Sequence, residues 1–259
     1  MSRRRKTNTT QTYRNKAEKQ GRCKGNKSTY IPGIFTYEIP SKGKTARILG
    51  QTTGRVQHFL SQHEKFFFLI LDYDPLVTDI KEQYLLPLED TLLVAAELGL
   101  KHPYADRVPA VMSTDFYYCK EGQWYAVAIK TTADLEKKSV QDKLLIEETI
   151  WKKRGIPWRV VTEKDIPRQL ATNLLWLHSG ESITNLIPDK ERLEHISDAF
   201  LELYANEAIP FAEIIDNMES FCGLKHGTVI QLFKQLLIDR KITLDLSKPL
   251  DLDNPRKSA

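Results

Sequence analysis

The chain has 259 residues, of which 41% are hydrophobic and 28% charged, enough apolar material for one large core or two modest ones. No run approaches the roughly 18 consecutive apolar residues of a membrane span, and the start, Met-Ser-Arg-Arg-Arg-Lys, lacks the apolar segment of a signal peptide, so a cytoplasmic protein with no membrane partner is expected. Three dispersed cysteines (Cys23, Cys119 and Cys222) and six histidines without metal spacing argue against a disulfide framework and a zinc cage.

Charge is spread unevenly along the chain. Residues 1–168 carry 29 Lys and Arg against 20 Asp and Glu, a balance of +9, whereas residues 169–259 carry 9 against 14, a balance of −5. The first part suits a polyanion such as DNA; the second is poorly suited to phosphate contacts. Residues 1–28 hold ten Lys or Arg and one acid, Glu18, with little to bury, and read as a basic disordered arm.

From Tyr30 to His58, Pro and Gly punctuate short extended pieces, which predicts an irregular entry with one or two strands. A helix follows, with Leu60, Phe67, Phe68 and Leu71 at helical spacing. Glu64 falls on that apolar stripe, and a buried acid is costly unless it is paired, hydrogen-bonded or on a metal, so Glu64 is a candidate site residue. Val77–Tyr84 reads as a strand, Pro87–Gly99 as a helix and Lys101-His102-Pro103 as a turn.

Two β-rich runs come next, Val111–Cys119 and Trp124–Thr131, around Lys120-Glu121-Gly122-Gln123, whose Glu-Gly centre suits a tight hairpin turn. Pairing Lys120 with Gln123 sets Asp115 opposite Ala128 and Ser113 opposite Lys130, so that Asp115 and Lys130 share a face. As diagonal neighbours roughly 7 Å apart, they are expected to act together on one phosphate while standing too far apart for a simple salt bridge. Val140–Arg154 has helical apolar spacing with Glu147 on or beside the buried stripe, and Pro157–Thr162 supplies a last strand. In the C-terminal part, Arg168–His178, a helix capped by Asp189, a helix begun by Pro210 and Thr228–Leu237 read as helices, and Ile238–Leu246 as a strand and turn. That pattern is winged-helix-like, and its acidity suits protein docking.

Helix, strand, strand, strand, helix and strand, with acids or a lysine on the first helix and the second and third strands, resembles the core of the PD-(D/E)xK nuclease superfamily. More specifically, Tyr30-Ile-Pro, Gly54-Arg-Val-x-His58, Ser61-x-x-Glu64, Asp79-Ile-x-Glu-Gln83, Lys101-His-Pro103, Met112-Ser-Thr-Asp-Phe116, Ile129-Lys130 and Ile156-Pro-Trp158 resemble the TnsA endonuclease subunit of heteromeric cut-and-paste transposons, over about residues 29–170.

The resemblance implies a restriction-endonuclease-like mixed-sheet nuclease core at 29–168 and a mostly helical, winged-helix-like domain at 169–259. It implies cleavage of the 5′ non-transferred strands at transposon ends, beside a TnsB-type transposase and under a TnsC-type AAA+ ATPase regulator. Matched motif by motif, Glu64 and Asp115 fall on the family's catalytic acids and Lys130 on its catalytic lysine. Mg²⁺, with Mn²⁺ as the alternative, would be held by Glu64, Asp115 and the Ile129 carbonyl, and Glu147 would act through an outer-shell water. One position departs: where the family carries Gln two residues before the lysine, this chain has Ala128, whose methyl cannot ligate a cation. That leaves a second reading, a non-catalytic DNA-end scaffold linking transposase to regulator.

Overall fold

In the computed structural model, which describes residues 11–38, 45–105 and 107–258, Glu121 and Gly122 close the expected hairpin. Both take positive φ, 51° and 77°, the twist that joins two antiparallel strands through a two-residue loop. The pairing runs from Lys120 opposite Gln123 to Phe116 opposite Val127, the register the turn implies. The described residues fall into two compact units that divide between Ile166 and Pro167.

The strands of the first unit are β1 (Ala46–Leu49), β2 (Val56–Phe59), β3 (Val77–Leu85), β4 (Tyr104–Ala105), β5 (Val108–Pro109), β6 (Ser113–Lys120), β7 (Gln123–Ile129) and β8 (Trp158–Val161). Its helices are α1 (Gln11–Lys19), α2 (Gln62–Tyr73), α3 (Leu88–Glu97), α4 (Thr132–Leu135) and α5 (Lys138–Lys153). The main sheet has the order β3-β6-β7-β8. Its first two junctions are antiparallel and the last is parallel, which requires a crossover that α4 and α5 supply.

Alternation along β6 distributes the two halves of the core. Phe116 and Tyr118 meet Phe67 of α2, and Phe59 of β2 packs on Phe68 of α2. Tyr117 instead stacks on Trp151 of α5, where Ile146, Ile150, Val94, Ala95 and Ala126 gather. Helix α2 starts where Ser61 Oγ accepts from the Glu64 amide at 3.1 Å, an N-cap of the kind that contributes about 1 kcal/mol.

The segment expected to be a disordered arm is folded over the residues described. Residues 11–19 form α1, with Tyr13 and Ala17 buried, and residues 1–10 lie outside the described residues, as do 39–44 of the irregular entry. Arg22 is buried with them, because its guanidinium donates to Glu38 Oε1 at 2.6 Å and Oε2 at 2.7 Å. The bidentate partner offsets the cost of burying the charge. The same stretch covers the outer edge of β3: Gly33 N donates to Gln83 O at 3.0 Å, and Lys27 N to Asp79 Oδ1 at 3.1 Å.

The second unit is helical: α6 (Arg168–Leu177), α7 (Ile183–Leu186), α8 (Lys190–Ala205), α9 (Phe211–Phe221) and α10 (Thr228–Ile238). Asp189 caps α8, accepting from Arg192 N at 3.2 Å, and Phe200, Phe211 and Phe233 form the aromatic centre. The strand expected at 238–246 does not form. Ile242, Leu244 and Leu246 are buried, but no strand lies beside them; Lys241 N and Ile242 N return to Leu236 O, and Asn173 Nδ2 donates to Leu246 O and Lys248 O. The fold is a mixed-sheet core followed by a helical domain, in which no strand forms a wing among the described residues. All three cysteines are free, and among the described residues no helix is long and apolar enough to cross a membrane.

Candidate active site

Pairing between β6 and β7 ends at Phe116 and Val127, and in the fork beyond it sits the Asp115 carboxylate. Its Oδ2 accepts from the Ile129 amide at 2.6 Å and from Lys130 Nζ at 2.8 Å. Lys130 Nζ also donates to Ile129 O at 2.8 Å. The direct Asp115–Lys130 ion pair corrects the expectation that the two stand too far apart. Lys130 lies one residue past the end of β7, where the pleat no longer fixes its direction, and its four-carbon stem curls back onto the carboxylate. Burial by itself would lower the Lys130 pKa; the charge and hydrogen bond of Asp115 outweigh it and raise the pKa.

Glu64 enters from α2. Its Oε2 accepts from the Leu60 amide at 2.9 Å and from Gln83 Nε2 at 3.0 Å. Burial, then the Asp115 charge, push its carboxyl up to about 7. Glu147 enters from α5 on the other side of the sheet and is 4% exposed. Its Oε1 accepts from Thr114 Oγ1 at 2.8 Å and Trp158 Nε1 at 3.0 Å, while Trp151 Nε1 donates to the same Thr114 hydroxyl at 2.7 Å. Burial and Asp115 raise Glu147 to about 7 as well. Asp115 therefore raises both glutamates and Lys130 lowers both, so the four residues singled out in the sequence share one electrostatic site.

Ala128 is buried in β7, 1% exposed, and offers no donor. Among the described residues, no group of three or more His, Cys, Asp or Glu side chains is arranged around a metal position. The available donors are the Glu64 and Asp115 carboxylates and the Ile129 carbonyl, all hard oxygens. Two of these, Asp115 Oδ2 and Ile129 O, already converge on one positive charge, the Lys130 ammonium. Such a set fits a magnesium-like cation that keeps several waters, and does not fit zinc.

Several motif residues turn out to form a buried cluster around Glu82, the chain neighbour of Glu64's partner Gln83. Glu82, fully buried, accepts from Arg55 Nη1 at 2.8 Å and His58 N at 3.1 Å, and its carbonyl accepts from the Tyr30 hydroxyl at 3.1 Å. Arg55 also stacks on Tyr30, 4.9 Å from the ring centre. Sequence reasoning missed the contacts of Gln83, Thr114 and Trp158 to the acids. The available signal was the polar run Asp79–Gln83 inside a strand, every member of which except Ile80 is polar and all of which are buried.

A four-stranded mixed sheet flanked by helices, with two acids and a lysine where its central strands part, is the core of a nuclease. Residues 74–163 match the family model described as TnsA-like endonuclease N terminal, and residues 165–246 match that described as TnsA endonuclease C terminal. The first span contains Asp115, Lys130 and Glu147; Glu64 precedes it. The chain is 38% identical over 184 residues to the Transposon Tn7 transposition protein TnsA of Escherichia coli, an alignment covering 69% of this chain and 67% of that protein. This chain belongs to the TnsA family of transposition endonucleases.

Proposed function

We propose that this endonuclease cuts the 5′ non-transferred strands at transposon ends, with Glu64, Asp115 and Lys130 as its catalytic residues. The observation that carries the reading is the fork beyond Phe116 and Val127, where Asp115, Lys130 and the Ile129 carbonyl meet. Glu64, Asp115 and the Ile129 carbonyl would hold Mg²⁺, or Mn²⁺, which when bound supplies charge to polarise the scissile phosphate and acidify water. Lys130 adds a point charge beside the phosphate, stabilising the negative charge that builds in the transition state. Asp115 accepts the Ile129 amide and so holds the backbone carbonyl next to it in place. Glu147 braces Thr114, the neighbour of Asp115, and can reach the site through an outer-shell water.

The partners we propose are duplex transposon ends in the cytoplasm, a TnsB-type transposase that processes the 3′ ends, and a TnsC-type AAA+ ATPase regulator. Ala128, which removes one side-chain donor, favours the scaffold as second reading. Strand-specific nicking of transposon-end duplex by the chain with its transposase separates the two. Mg²⁺-dependent 5′-strand products support the endonuclease reading, and 3′ products alone under every metal tested would leave the scaffold.

A further inference from the structure

Gln83 is the irregular residue of β3. It is 1% exposed and its φ is 50°, a left-handed conformation that a glutamine keeps only where its surroundings impose it. On the ladder to β6, Glu82 faces Phe116 and Tyr84 faces Thr114, so the distortion lies level with Asp115.

Two contacts use this distortion. The Gln83 carbonyl accepts from Gly33 N at 3.0 Å, and Gln83 Nε2 donates to Glu64 Oε2 at 3.0 Å. Gly33 is held in turn by its own carbonyl, which accepts from the Tyr13 hydroxyl and from Arg22 Nη1 at 2.9 Å. A Cβ on Gly33 would lie 2.4 Å from Gln83 O and 2.4 Å from Leu85 Cγ, so only glycine permits the approach. Contacts thus lead without a break from α1 and Arg22, through Gly33 and Gln83, to the carboxylate of Glu64.

We infer that Gln83 is a positioning residue for Glu64, and that the N-terminal segment around Gly33 imposes the backbone conformation from which the Gln83 amide reaches that carboxylate. The inference rests on the proposed catalytic role of Glu64. Two donors on Oε2, the Leu60 amide and Gln83 Nε2, fix the carboxylate plane and present Oε1 in one direction, as partners behind a ligating or catalytic carboxylate do. The N-terminal segment is then part of the cutting machinery without touching DNA or the reacting atoms.

The test is single-turnover 5′-strand cleavage at saturating transposon-end DNA, by the full chain with its transposase. Wild type, Glu64→Ala, Gln83→Met, Gln83→Gly and Gly33→Ala are compared for both the rate constant and the fraction of molecules that cut. Loss of an outer partner predicts a rate constant lowered about tenfold or more in the two Gln83 variants and in Gly33→Ala, with the cutting fraction retained. A merely structural role gives the opposite split, a smaller fraction cutting at the wild-type rate constant, and overturns the inference. If Gln83→Met does not fold, Gln83→Gly decides, because glycine suits a φ of 50°. Wild-type cutting by Glu64→Ala would remove the catalytic role of Glu64 and this inference with it. An inactive Glu64→Ala beside Gln83 variants of wild-type rate constant would remove the inference alone.

Discussion

The helical unit and the fork of the sheet unit treat their buried charges differently. In the helical unit the buried Lys234, Glu219 and Asn173 each meet a structural need. Lys234 donates to Ser179 O and Oγ, both at 3.0 Å, and lies over Trp176. Glu219 accepts from Val229 N at the start of α10 at 3.2 Å, and Asn173 holds two carbonyls of the C-terminal segment. In the sheet unit the Asp115 charge instead raises the pKa of Lys130 and of both glutamates, which burial and that charge drive to about 7. A charge satisfied by backbone stabilises a fold; charges that oppose one another across a fork are held at a cost, the pattern typical of a working site.

The largest expected effect breaks that contrast at its centre. Lys130→Ala, and separately Glu64→Ala, should lower 5′-strand cleavage about 100-fold or more while 3′ processing by the partner transposase continues, as resolved by strand-labelled end substrates. Phe233→Ala, in the helical unit, should instead cost about 3–5 kcal/mol of stability in calorimetry, and cutting at a temperature where it remains folded should stay near wild type.

Deleting residues 1–28 should lower the melting temperature by more than about 5 °C, because it removes the buried Tyr13, Ala17 and Arg22. An unchanged melting temperature would mean that α1 contributes nothing to the sheet unit.

Glu147 sharpens the comparison through pH. Its carboxyl titrates at about 7 when folded, against an ordinary 4.5, so the metal-free folded state binds more protons between these values. Stability should therefore fall as pH rises from about 4.5 to about 7 and level off above, by on the order of 3 kcal/mol for this group. Glu147→Gln should reduce that slope, leaving the part that Glu64 contributes over the same range, in denaturant titrations at stepped pH. The smallest effect belongs to Lys234→Met: because the ammonium is buried and bonded, duplex affinity should change by less than about twofold.

How much of this was legible in the sequence depended on how local the cause was. The β6–β7 hairpin and its register follow from Glu121-Gly122, because turn chemistry acts within four residues. The buried positions of Glu64 and Glu147 follow from helical spacing. The Asp115–Lys130 ion pair was not legible, since it depends on where pairing stops. Nor was the folding of residues 11–28, because Arg22 is buried against Gly33 O and Glu38, eleven and sixteen residues away. At 238–246 the alternation of Ile242, Leu244 and Leu246 is real, yet none of the described strands pairs with it, and Leu236 O near the end of α10 and the Asn173 side chain take some of those backbone groups instead. The motif residues Tyr30, Arg55, His58 and Glu82 were visible as a pattern, but the buried cluster they form exists only in three dimensions.

The most direct test of the fork as the cutting centre is Asp115→Asn, which keeps an oxygen to accept the Ile129 amide and removes only the charge. Single-turnover assays with the partner transposase and Mg²⁺ should show 5′-strand cleavage lost and 3′ products at the wild-type level, at a temperature where a cooperative melting transition shows the variant to be folded. Wild-type 5′-strand cleavage by Asp115→Asn would contradict the account and place the catalytic centre elsewhere.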